Sequence, residues 1–123
     1  MTLSIRRERR QPFLVSELQL NIPDLPEAFE GYRIVQLSDL HFGRTGRRLV
    51  EQAGAITNDL RPDLIALTGD YLEYTRQTVR KSILPLRVTR EDSRQHVFAV
   101  RALAAELGEI LAELRSVDGV VAV

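Results

Sequence analysis

Arg33-Ile34-Val35-Gln36-Leu37-Ser38-Asp39-Leu40-His41-Phe42-Gly43 and Pro62-Asp63-Leu64-Ile65-Ala66-Leu67-Thr68-Gly69-Asp70-Tyr71 are the two stretches that decide how this chain folds. The first is short, β-branched and ends in polar residues, the pattern of a partly buried strand. The second is a nearly continuous apolar run before its Gly-Asp, the pattern of a strand covered on both faces of a parallel sheet. Between them Leu49, Val50, Ala53, Ile56 and Leu60 recur at helical spacing from Arg47 to Leu60. Thr45 is placed to cap that helix, and Pro62 lies just beyond its end. Strand, helix and strand within about thirty-five residues make a βαβ unit, so the two strands should be parallel near neighbours.

Working outward, residues 12–20 mix Phe13, Leu14, Val15, Leu18 and Leu20 with polar neighbours and read as a strand. Asn21-Ile22-Pro23-Asp24-Leu25-Pro26 is a connector whose two prolines fix φ and remove backbone donors. Ahead of it, Arg6, Arg7, Arg9 and Arg10 are opposed only by Glu8, which predicts a solvated basic tail over 1–11 and a domain over 12–123. The same tail has a sharper reading as a peripheral membrane contact, because each basic group near an anionic surface gains on the order of 1 kcal/mol.

Beyond Tyr71, the residues Arg76, Arg80, Lys81, Arg87, Arg90 and Arg94 punctuate a stretch that Pro85 interrupts, and 75–95 reads as an irregular basic insertion. A second amphipathic helix runs from about Ser93 to Arg115, with Val97, Val100, Leu103, Ala104, Leu107, Ile110, Leu111 and Leu114 on one face. Asp118-Gly119 then turns the chain into Val120-Val121-Ala122-Val123. Four strand-like residues at a free carboxyl end point to a truncated domain, since the termini of intact domains are usually surface segments.

Composition narrows the function classes. A hydrophobic fraction of 44% over 123 residues supports a packed core and excludes global disorder. Net charge is zero, so no overall field draws the molecule to nucleic acid or anionic lipid. Few aromatics interleave the arginines, which argues against a specific nucleic-acid partner. The absence of cysteine excludes disulfides, thiolate metal sites and a thiol nucleophile. No apolar run approaches the ~20 residues needed to cross a bilayer. Arg9-Arg10-Gln11-Pro12-Phe13-Leu14 is followed by too polar a stretch for a twin-arginine export signal. These features predict a protein that is cytoplasmic or peripheral to the inner membrane.

In an open parallel sheet, functional groups collect beyond the carboxyl ends of the strands. Asp39 and His41 follow the first core strand and Asp70 follows the second, so the three should converge. Residues two apart in extended chain point to the same side, which would let Asp39 and His41 share one cation. Gly69 removes a side chain just before Asp70, which would allow a close approach to the ion. Carboxylate mixed with imidazole suits Mn, Fe, Zn or Ni better than Ca or Mg. Asp-x-His or Gly-Asp alone is most often a turn; their order and strand context carry the signal.

The same two blocks resemble the first two sequence blocks of calcineurin-like metallophosphoesterases. Arg33 to His41, following a strand and the Pro23-Asp24-Leu25-Pro26 linker, is most similar to the bacterial branch of membrane-associated phosphodiesterases. The resemblance covers residues 13–72 and resumes over 114–123, which looks like the strand leading into the family's Gly-Asn-His-Asp/Glu block. It implies an α/β fold, the N-terminal half of a four-layer α/β/β/α sandwich built from βαβ units with a mostly parallel sheet. It further implies that Asp39 and His41 bind a first metal, that Asp70 bridges two metals, and that Gly43 and Gly69 shape the loops. Two divalent ions (Mn, Fe, Zn or Ni) would then serve hydrolysis of phosphate mono- or diesters by the complete protein.

The departures have consequences. The family's Gly-Asn-His-Asp/Glu block, a later single histidine and a Gly-His-x-His block are not in the chain. His96, the only other histidine, falls in no family motif and reads as a capping or surface residue. A piece carrying part of a dinuclear site should be inactive alone and should leave one sheet face uncovered. The rival readings are a non-catalytic cation-binding α/β module and a membrane-surface or nucleic-acid-binding domain.

Overall fold

A computed structural model describes residues 2–10, 12–73 and 93–123. The chain divides into two compact units, Met1–Tyr32 and Arg33–Val123.

In the first unit, β1 (Thr2–Arg10) and β2 (Phe13–Asn21) form an antiparallel hairpin. The strand expected over 12–20 is present, and residues 2–10, expected as a basic tail, form the strand paired with it. The register explains the difference. Ile5 stands opposite Leu18, and Arg6 stands opposite Glu17. Apolar and opposite-charge cross-strand pairs of this kind each favour pairing by roughly 0.2–1 kcal/mol. After the connector, a single 3-10 turn at Glu27–Phe29 brings the Phe29 ring edge-on to Tyr32, with centroids 5.5 Å apart.

The second unit runs β3 (Ile34–Ser38), α1 (Arg47–Asp59), β4 (Leu64–Thr68), α2 (Ser93–Leu111) and β5 (Val120–Ala122). Its sheet has the order β3-β4-β5, and both pairings are parallel. The mixed α/β class with βαβ units and a parallel sheet is as expected for part of a metallophosphoesterase sandwich. Both crossovers carry the chain the same way across the sheet, so their usual right-handedness puts α1 and α2 on one face. The two helices touch. Arg47 of α1 binds Glu51 at 2.7 Å and reaches Glu106 of α2 at 3.3 Å. Hydrogen bonding to Glu51, then to Glu106, holds its guanidinium above the ordinary arginine range. Asn58 of α1 donates to the Glu113 carbonyl at 2.9 Å and accepts from the Arg115 N–H at 2.8 Å, closing the end of α2.

Burial separates the two faces of the sheet. Ile65 and Leu67 are buried in the central strand. In register with Leu64 and Ala66 on the opposite face, Ile34 and Val121 keep 60% and 49% of their surface exposed. That face is open among the described residues.

Three local expectations change. The N-cap of α1 is Gly46, in extended conformation with no side-chain cap. Thr45 instead uses its backbone in the preceding loop: its N–H donates to the His41 carbonyl at 2.9 Å and its carbonyl accepts from Gly43 at 3.3 Å. The second helix ends at Leu111, and Ala112 and Glu113 continue as a turn. The insertion expected over 75–95 lies outside the described residues up to the start of α2 at Ser93, and so does the side chain of His96.

Candidate metal centre

The candidate site is built where β3 and β4 end. The loop after β3 and the loop after β4 are joined by three backbone bonds: His41 N–H to Asp70 carbonyl (2.9 Å), Phe42 N–H to Tyr71 carbonyl (2.8 Å) and Glu73 N–H to Phe42 carbonyl (2.9 Å). Side chains anchor the same loops from below. Leu40 and Phe42 are buried with Val50, Leu103, Leu107 and Ile110, and Tyr71 and Leu72 pack against that cluster. Because 40 and 42 are committed to the core, 39 and 41 are left for the site. The Tyr71 hydroxyl lies 2.7 Å from the Leu67 carbonyl and 2.8 Å from that of Val123, tying the second loop to the ends of β4 and β5. The Ser38 hydroxyl lies 2.6 Å from both Asp39 Oδ2 and the Thr68 carbonyl, steadying the aspartate against the neighbouring strand.

The backbone there is not extended, contrary to the reasoning that put Asp39 and His41 on one side of a strand. Asp39, His41 and Asp70 have φ of 55°, 42° and 45°. Residues with a Cβ visit this left-handed region at a cost of ~1–2 kcal/mol, aspartate and histidine more often than most. Such conformations persist only where the surroundings over-determine them, here through the inter-loop bonds and the buried neighbours. Gly69, at φ 71°, belongs to the same pattern. A Cβ placed on it would meet nothing within 4 Å, so the glycine serves the dihedral and not a close approach.

The structure brings the three sequence-derived residues together. One potential ligand atom each from Asp39, His41 and Asp70 lies within 4.8 Å of the others. Asp39 and Asp70 are exposed and His41 is half-buried, so the cluster opens to solvent. Imidazole Nε2 of His41 is 3.8 Å from Asp39 Oδ1. Two carboxylates and an imidazole this close form a donor set that fits a divalent transition metal, since a cation between the aspartates relieves their mutual repulsion.

Glu73 was not singled out in the sequence. Its Oε2 lies 3.0 Å from His41 Nδ1 and 3.1 Å from Arg44 Nη1. Its one sequence signal is its place three residues after Asp70, which does not disclose that the loop pairing carries it to His41.

Against known proteins, no family model and no solved structure matches the chain. It is 34% identical over 77 residues to the Danio rerio protein named "Transmembrane protein with metallophosphoesterase domain", covering 62% of this chain and 18% of that protein. It is 31% identical over 77 residues to the Bos taurus protein of the same name, covering 62% of this chain and 17% of that protein. The chain thus spans less than about one-fifth of the length of these relatives. Both are vertebrate proteins, so the similarity gives no support to the bacterial branch in particular. Among the described residues, no helix is long and apolar enough to cross a membrane. Over those 77 residues the chain is thus similar to part of two proteins named for a metallophosphoesterase domain.

Proposed function

We propose that this chain supplies part of a dinuclear metal site for hydrolysis of phosphate mono- or diesters. The observation that carries the reading is the approach of Asp39, His41 and Asp70 to within 4.8 Å at the tips of two adjacent parallel strands. Asp39 and His41 would hold one ion, and the Asp70 carboxylate, with two oxygens, would be shared between two. Ions bound there would neutralise charge on the phosphoryl oxygens and lower the pKa of a coordinated water.

The chain's own groups do the positioning. The Ser38 hydroxyl fixes the Asp39 carboxylate, the inter-loop bonds fix the spacing of His41 and Asp70, and the exposed rim leaves room for a phosphate ester to approach. Three protein donors are fewer than two transition-metal ions require. The remaining ligands would come from outside the described residues, and the chain alone would turn over little or no substrate.

Peripheral membrane contact is a proposal for the first unit. It is supported by the exposed Ile5, Leu14, Leu18 and Leu20 on a hairpin that also exposes Arg6 and Arg7.

The test is Mn-dependent hydrolysis of an aryl phosphodiester by the protein together with any downstream sequence its gene encodes. Asp70→Asn should abolish turnover. Turnover retained in that variant would reject the bridging carboxylate, and a protein inactive with every metal tried would favour the non-catalytic cation-binding module.

A further inference from the structure

We propose that Glu73 is the positioning residue of this metal centre. Its carboxylate accepts the Nδ1 proton of His41 and so fixes the ring with Nε2 free on the side of Asp39. The inference rests on the metal-site reading above and adds to it the group that sets the histidine's tautomer.

The geometry is specific to the two ring nitrogens. Nδ1 is 3.0 Å from Glu73 Oε2, whereas Nε2 is 3.8 Å from Asp39 Oδ1, on the side of the ligand cluster. A neutral imidazole has one donor and one acceptor nitrogen, and the hydrogen bond made by one decides what the other can do. A carboxylate accepts only. Its contact with Nδ1 therefore stabilises the Nδ1–H tautomer and leaves the Nε2 lone pair for a cation. Metal-bound histidines commonly have such a partner on the second nitrogen, and its loss typically weakens metal binding 10–100-fold.

Glu73 is itself held. Its N–H donates to the Phe42 carbonyl at 2.9 Å, and its Oε2 is shared with Arg44 Nη1 at 3.1 Å. Its side chain retains 27% of its accessible surface, as does that of His41. The contact is thus partly withdrawn from water, which strengthens it relative to a fully exposed pair. Arg44 and His41 lie on one loop and Glu73 on the other, so this carboxylate also clamps the loops at the site.

The decisive experiment is long-range 1H–15N correlation spectroscopy on the full chain without metal. It is run at about pH 8. Wild type should show His41 as the Nδ1–H tautomer. Glu73→Ala should shift it toward Nε2–H, and Glu73→Gln, whose amide oxygen can still accept, should restore Nδ1–H. Circular dichroism of each variant establishes that the fold is retained.

A calorimetric Mn2+ titration forms the second arm, with affinity expected to fall about 10–100-fold in Glu73→Ala and to recover in part in Glu73→Gln. An Nε2–H tautomer in wild type, or an Nδ1–H tautomer unchanged in Glu73→Ala, overturns the proposal whatever the metal data show. A tautomer that responds as expected while wild type binds no metal leaves Glu73's action on His41 standing and removes the metal-site reading instead.

Discussion

The hairpin of residues 2–21 and the two loops around Asp39 and Asp70 are held in opposite ways. The hairpin is regular: nine residues pair with nine in unbroken antiparallel register, yet Ile5, Leu14, Leu18 and Leu20 remain exposed at half their surface or more. The loops contain almost no regular structure and include left-handed residues that a chain ordinarily avoids. Even so, Leu40 and Phe42, inside the first loop, keep only 8% and 3% of their surface. Regular hydrogen bonding and tight determination of side-chain position are therefore separate properties here. A functional site needs the second, and buried anchors with inter-loop bonds supply it. This contrast predicts that substitutions in the irregular loops have large effects and those on the regular hairpin small ones.

The largest effect should come from Phe42→Ala. It removes a buried ring from the cluster that anchors both loops, and should cost about 3–5 kcal/mol in denaturant unfolding. A loss under about 1 kcal/mol would mean that the loops are not anchored through the core. Next, Asp70→Asn should reduce Mn2+ affinity by at least about tenfold in calorimetry, since a metal ligand must offer its charged form. It should leave the metal-free stability unchanged or slightly raised, because one of two adjacent carboxylates has lost its charge.

Two glycine substitutions give a smaller, signed pair. Gly69→Ala forces a Cβ into φ 71° and should destabilise by about 1 kcal/mol despite the empty space around it. Gly46→Ser, at an extended N-cap with equal space, should stabilise by a few tenths of a kcal/mol, measured as a rise in Tm. If both changed stability with the same sign, backbone conformation would not be what separates these positions. The smallest effect is expected for Leu18→Ser on the hairpin, within about 0.5 kcal/mol. The same variant would reduce binding to anionic vesicles if the hairpin contacts membranes.

Much of this was legible before any coordinates. The β-branched run 34–38, the apolar run 64–68 and the helical spacing between them specify a βαβ unit, because each pattern reports local burial directly. The meeting of Asp39, His41 and Asp70 followed from where those strands end. Extended backbone does not bring Asp39 and His41 together, because both residues are left-handed. Cross-loop bonds produce the convergence, and no single segment records them.

Thr2–Arg10 was hidden for a related reason: its arginines suggest a solvated tail, and only the register against β2 shows that its apolar residues have partners. Glu73 is the clearest case. Its role depends on where Phe42 and Leu72 bring two loops into contact, and that is tertiary information.

All of this depends on the three side chains surrounding one point that a cation can occupy. The most direct measurement is an anomalous difference map at the manganese edge from crystals grown with Mn2+. The expected result is a peak within coordination distance of a carboxylate oxygen of Asp39, Nε2 of His41 and a carboxylate oxygen of Asp70. A peak bound elsewhere, or reached by only one of the three while the others point to solvent, would contradict the account.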